Sequence, residues 1–166
     1  MNQSLPVTIY KHWIGYVAIA LVGAAVIGLV LGAFWAAAGV PSVDTSLLFA
    51  LAVFVVALVA AATIITLYVY SLSYIQLTQD GLVAVNWKSL FVKQDVQAEW
   101  VRVQDVSVVA SGVFAQLLGY ATLNIQTAGT TQATRMTMVP SADYWQQVIA
   151  YYADQATTDG MDVTTS

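Results

Sequence analysis

The side chains able to do chemistry in this chain are few. There is one histidine, His12, and no cysteine, so disulfides, thiolate metal sites and cysteine nucleophiles are excluded. His12 lies between Lys11 and Trp13. A lone imidazole without acidic partners makes neither a metal site nor a catalytic pair, and membrane-interface packing beside an aromatic anchor is its expected role. Four carboxylates, Asp80, Asp95, Glu99 and Asp105, fall at expected turns or outward strand positions. Acid–base catalysis needs two of them converging in a cleft, whereas a solvated surface is the expectation here. The glycine-bracketed stretch "QLLGYATLNIQTAG", Gln116 to Gly129, lacks the Lys-Ser/Thr ending and the following helix of a phosphate loop. No catalytic, cofactor-binding or metal-ligating residue is nominated, and the chain is expected not to be an enzyme. Lys88, Lys93, Arg102 and Arg135 remain as candidates for a polar contact surface.

The elements that must position these residues follow from composition. The chain has 166 residues, 59% hydrophobic and 8% charged, well outside the balance of a soluble domain. Met1 to Tyr70 holds one Lys and one Asp, so the rest of the chain carries the whole formal charge of −4. That sign argues against a nucleic-acid footprint and against broad attraction to anionic lipid, both of which need clustered Lys and Arg, and leaves few residues for a local basic patch.

Ile14 to Ala38 is entirely apolar or Gly, and Leu47 to Tyr70 is interrupted only by Thr63 and Thr66. At about 1.5 Å per residue each run exceeds the roughly 30 Å hydrocarbon core. Two spans joined by the breaker-rich "GVPSVDTS", Gly39 to Ser46, form a transmembrane hairpin over 14–70, preceded by an N-terminal segment, 1–13. "AAAG" at Ala36 to Gly39 resembles a signal cleavage site, but the run before it is longer than the roughly 7 to 15 residues of a signal core. Lys11, Lys88 and Lys93 flank the spans and the connecting turn has only Asp44, which predicts a multi-pass cell-membrane protein with both termini and the soluble domain cytoplasmic. Ala24, Gly28 and Gly32 sit four residues apart. They are candidates for helix packing, either between two copies in a homo-oligomer or against the second span.

After Tyr70 the apolar period becomes two. "SYIQLT" and "LVAVNW" around Gln79-Asp80-Gly81 read as a hairpin. Further strands are expected at Leu90–Val96, Glu99–Val103, Val106–Ala110, Ala121–Thr127 and Thr134–Val139, with a short helical or irregular link at Gly112–Leu118. Pro140 and Ser141 then start an amphipathic helix over about Ala142–Gln155, with Trp145, Val148, Ile149 and Tyr152 on one face. Residues 156–166 have little to bury and are expected to be disordered. The class is α+β: about seven antiparallel strands wrapped into a partly open barrel or sandwich, covered at one end by the helix.

"RVQDVSV" (Arg102–Val108), "FAQLLGYATLNIQTAG" (Phe114–Gly129) and "MVPSADYWQQVI" (Met138–Ile149), in that order, together resemble the bacterial pleckstrin-homology (PH) domain family of small membrane proteins, the YdbS-like group. "YIQLTQDGLVAVN" (Tyr74–Asn86) is similar to its opening hairpin. Gln116 stands where that family often has Arg, and Ala98 to Val101 departs from its usual proline-containing lead-in. The resemblance implies a PH-like barrel over 71–155, capped by the C-terminal helix, behind two membrane helices. With the composition, it leads to the expectation of a membrane-anchored interaction or scaffolding module. Its expected partners are the bilayer and a protein or peptide of unknown identity, the latter adding a strand at an open sheet edge. Two alternatives are a lipid-headgroup module and a structural subunit of a membrane complex assembled through the Ala/Gly-rich helices.

Overall fold

The computed structural model describes residues 5–40, 44–128 and 134–162. Gly129 and, in the inter-helix link, Pro41 to Val43 lie outside the described residues. The chain divides into two units, Trp13–Tyr70 and Met1–His12 with Ser71–Ser166.

The first unit consists of helices α1 (Ile14–Ala38) and α2 (Thr45–Ser71), both long and apolar enough to cross a membrane. Only Gly15, Gly23 and Ala52 of these helices are buried, so their apolar side chains face outward rather than into a protein core. α1 has the bounds read from hydropathy. α2 starts earlier than the apolar run because the Asp44 carboxylate accepts from the Ser46 and Leu47 amides at 2.9 and 3.2 Å, an N-cap that hydropathy does not register. The hydroxyls of Thr63 and Thr66 donate to Val59 and Ala62 carbonyls at 2.8 Å. Their polarity is thereby satisfied within the helix.

The second unit contains strands β1 (Val7–Tyr10), β2 (Tyr74–Leu77), β3 (Gly81–Ser89), β4 (Val92–Glu99), β5 (Val103–Val109), β6 (Tyr120–Thr127) and β7 (Thr134–Pro140). A short helix, α3 (Val113–Leu118), joins β5 to β6, and α4 (Ala142–Asp162) follows β7. All pairings are antiparallel, in two sheets ordered β1-β2-β3-β4 and β5-β6-β7. No ladder among the described residues joins them into the expected single barrel.

Two departures explain this. The expected strand Glu99–Val103 is instead a 3₁₀ turn at Trp100–Arg102, which interrupts the meander between β4 and β5. The turn is fixed by Trp100, whose buried indole N–H donates to the carbonyls of Thr78 and Gln79, both at 3.1 Å. Its ring stacks on Tyr152 of α4 with centroids 5.5 Å apart. The seventh strand comes instead from the N-terminal segment: β1 pairs with β2, and Ile9 opposite Ile75 joins the core. The segment before the first span is therefore a structural part of the domain.

The core lies between the two sheets and α4. Leu77, Leu82, Leu123, Ile125, Val139 and Ile149 are all but completely buried. α4 is held further by the Gln146 side-chain amide, which donates to the Val106 carbonyl at 2.7 Å. It continues past the expected end at Gln155 to Asp162, with Ala156 packed against the core.

Candidate functional site

Sheet β1-β2-β3-β4 loses its apolar lining partway along β3. Leu82 and Ala84 are buried on the core side, but the next residue of the same face is Asn86, and Lys88 follows where the register with β4 shifts between Trp87 and Ser89. Alternation fixes which residues share a face, so here a core-facing row ends in polar groups. Across the ladder, Val96 is opposite Ala84 and Gln94 is opposite Asn86. These residues, with Thr134, Arg135 and Thr137 of β7 and with Lys93 and Asp95, line a cleft of about 680 Å³.

The structure thus brings three of the four nominated cations, Lys88, Lys93 and Arg135, to one cleft. They are not equivalent. Lys93 is paired with Asp95 at 2.5 Å and lies 5.9 Å from the centroid of the Trp87 ring. The register places Lys93 opposite Trp87. Lys88 and Arg135 are exposed, and no salt bridge engages either among the described residues. Uncommitted cations facing open space, flanked by the amides of Asn86 and Gln94 and the hydroxyls of Thr134 and Thr137, suit carboxylate or phosphate groups. β4, along one wall, is the terminal strand of its sheet, so its outer edge is a template for an added strand.

Arg102 is elsewhere. Its Nε is 3.5 Å from a Glu99 carboxylate oxygen, and it lines a smaller recess with Asp80 and Glu99. Both partners are mostly solvated, so the pair adds little stability, and its acidic neighbours make the recess a poor anion site. The four carboxylates weighed for catalysis do not assemble: Asp95 borders the cationic cleft, Asp80 and Glu99 the recess, and Asp105 a third depression beside α4. No group of three or more His, Asp or Glu residues able to hold a metal occurs among the described residues.

The helix-packing candidates separate as well. A methyl group added at Gly28 or Gly32 would meet nothing within 4 Å, and Ala24 is exposed. The glycines that admit α2 are Gly15 and Gly23, which face Tyr70 and Thr63, and a Cβ at Gly23 would stand 2.6 Å from the Thr63 hydroxyl oxygen. The four-residue spacing singled out a face of α1 that α2 does not cover. An apolar cavity of about 660 Å³ between Leu31–Ala38 and Thr45–Ala57 offers almost no polar group.

Sequence reasoning did not foresee the polar lining by Asn86, Gln94, Thr134 and Thr137. The available signal was Asn86, a polar residue in register with the apolar face of its strand.

No protein-family model matches the chain, and no curated protein matches it. Among solved structures, it is similar to the crystal structure of a DUF1696 family protein with a pleckstrin-homology domain from Shewanella loihica PV-4, with 13% identity and a TM-score of 0.39 over 49% of this chain and 70% of that one. These comparisons do not place the chain in the YdbS-like group.

Proposed function

We propose that this protein is a non-enzymatic, membrane-anchored binding module of PH-like architecture, whose soluble domain takes an acidic, extended segment of a protein partner into the Lys88/Lys93/Arg135 cleft. The observation that carries this reading is the gathering of three of the chain's five basic residues at one cleft, in a protein of net charge −4. The terminal position of β4 supplies backbone groups for an extended segment. Lys88 and Arg135 then pair with the segment's carboxylates. The cell membrane is the proposed location, multi-pass, with both termini and the domain on the cytoplasmic face. A second reading, homo-oligomer or complex assembly through Ala24, Gly28 and Gly32, draws support from the face those residues leave uncovered by α2.

The test is a photo-crosslinking amino acid at Gln94, in the cleft, and at Gln97, outside it, in the full-length protein in its native membrane. A protein adduct from position 94 that is lost in a Lys88→Glu, Arg135→Glu variant supports the reading. Adducts with lipid alone, or equal protein adducts from both positions, contradict it.

A further inference from the structure

The soluble unit carries two exposed apolar projections that the cleft does not use. One is the β3–β4 hairpin tip, Leu90, Phe91 and Val92, where Phe91 is 94% exposed. The other is α3, which buries Ala115 while Phe114 and Leu117 remain 71% and 78% exposed alongside Val113. Apolar clusters left in water on a folded domain mark an interaction surface.

Strand register places both at one end of the unit. β2 begins at Tyr74, three residues after α2 ends at Ser71, and β1 ends at Tyr10, four residues before α1 begins at Ile14. Tyr10 and Tyr74 are partners in the ladder, so both connections to the membrane helices leave from the same end of the sheet. At roughly 3.5 Å per residue, these links are at most about 10 and 14 Å of extended chain. β3 runs toward this end: Val85 pairs with Tyr74, the Trp87 amide donates to the Ser73 hydroxyl at 3.1 Å, and the strand continues to Ser89 before the tip. At about 3.3 Å per residue, the tip projects roughly 13 Å beyond Tyr74, farther than the link to Ser71 is long. α3 ends at Gly119, next to Tyr120, whose ring lies 5.9 Å from that of His12. The His12 amide also donates to the Met138 carbonyl at 2.6 Å. α3 therefore hangs beside the point where the chain leaves the unit for α1.

We propose that Phe91 with its neighbours at the tip, and Val113, Phe114 and Leu117 of α3, dock the soluble unit onto the bilayer that the two helices cross. The occupant is lipid because the chain leaves this same end, through links of only three and four residue steps, for the two helices long and apolar enough to cross a membrane. Insertion to roughly 5–10 Å, the depth of interfacial helices, buries the two apolar projections at the boundary of headgroups and acyl chains. Tyr10, exposed at the same end, belongs to the side-chain class enriched at that depth. The docking is independent of what enters the cleft.

The chain has no cysteine, so single-cysteine variants report on it directly. Phe91→Cys, Phe114→Cys and, at the opposite end of the sheet, Asp80→Cys are labelled with an environment-sensitive fluorophore in the full-length protein. The protein is then reconstituted in neutral phosphatidylcholine vesicles. Spin-labelled lipid with the quencher near the top of the acyl chain is expected to quench the labels at 91 and 114 several-fold more than the label at 80. Equal quenching at all three positions overturns the proposal. Shielding from water at 91 and 114 without lipid quenching also overturns it, because a protein surface would then cover them.

Discussion

Ile9→Ala is expected to destabilise the strand-containing unit by about 3 kcal/mol, although residue 9 precedes the first long apolar helix and is far in sequence from the rest of that unit. Ile9 is 2% exposed and belongs to the same buried cluster as Ile75, its ladder partner, Leu77 and Val139. Truncating such a side chain to Ala costs roughly 2–5 kcal/mol, the transfer of the lost carbons plus the cavity they leave. A loss of about 3 kcal/mol, within that range, corresponds to about a 150-fold shift in the folding equilibrium. Hydrogen exchange with mass spectrometry, on the full-length protein in lipid nanodiscs, reads this shift from the slow amides of β2 and β3. Exchange there is expected to accelerate about 100-fold in Ile9→Ala and by less than about tenfold in Tyr10→Ala, whose side chain is exposed. A change below about 0.5 kcal/mol for Ile9→Ala, or acceleration confined to β1, would refute the argument that β1 completes the core.

Within the helical unit, Gly23→Leu is expected to lower thermal stability in detergent, by about 1–3 kcal/mol of overpacking against Thr63. Gly28→Leu, in open space, should leave the melting of the isolated hairpin pair unchanged; helix circular dichroism during heating distinguishes them. Trp100→Phe deletes an indole N–H shared by two carbonyls and should cost about 1–3 kcal/mol, seen as a lower midpoint in denaturant. Burial lowers the pKa of Lys11 from 10.5, so between that lowered value and 10.5 the unfolded chain holds more protons than the folded one. Stability should therefore rise with pH across this window, and Lys11→Met should flatten the rise in a pH series of unfolding midpoints.

What was legible in the sequence follows the range of the interactions involved. α1 was readable to the residue because an unbroken apolar run is a local signal, whereas the start of α2 depended on the Asp44 side chain capping two amides. The β2–β3 hairpin was visible in alternation around Asp80-Gly81. Trp100–Gln104 alternates equally well, yet a helical turn forms there because the Trp100 indole is held by Thr78 and Gln79, more than twenty residues away. β1 also alternates, but its partner lies beyond both long apolar helices, and no local pattern announces so distant a pairing. The cleft was hidden for the same reason. The four cations could be named, but only the fold brings Arg135 to Lys88 and leaves Arg102 with Glu99.

The most direct test of the proposed binding role is the affinity of the full-length protein, in neutral nanodiscs, for an extended peptide rich in Asp and Glu. It is measured at low and physiological salt for the wild type, the Lys88→Glu, Arg135→Glu variant and Arg102→Glu. The expected result is salt-sensitive binding, weakened at least tenfold by the double reversal and unchanged within about twofold by Arg102→Glu. Equal affinity in all three proteins, or no binding by the wild type at low salt, would contradict the assignment of the cleft as the binding site.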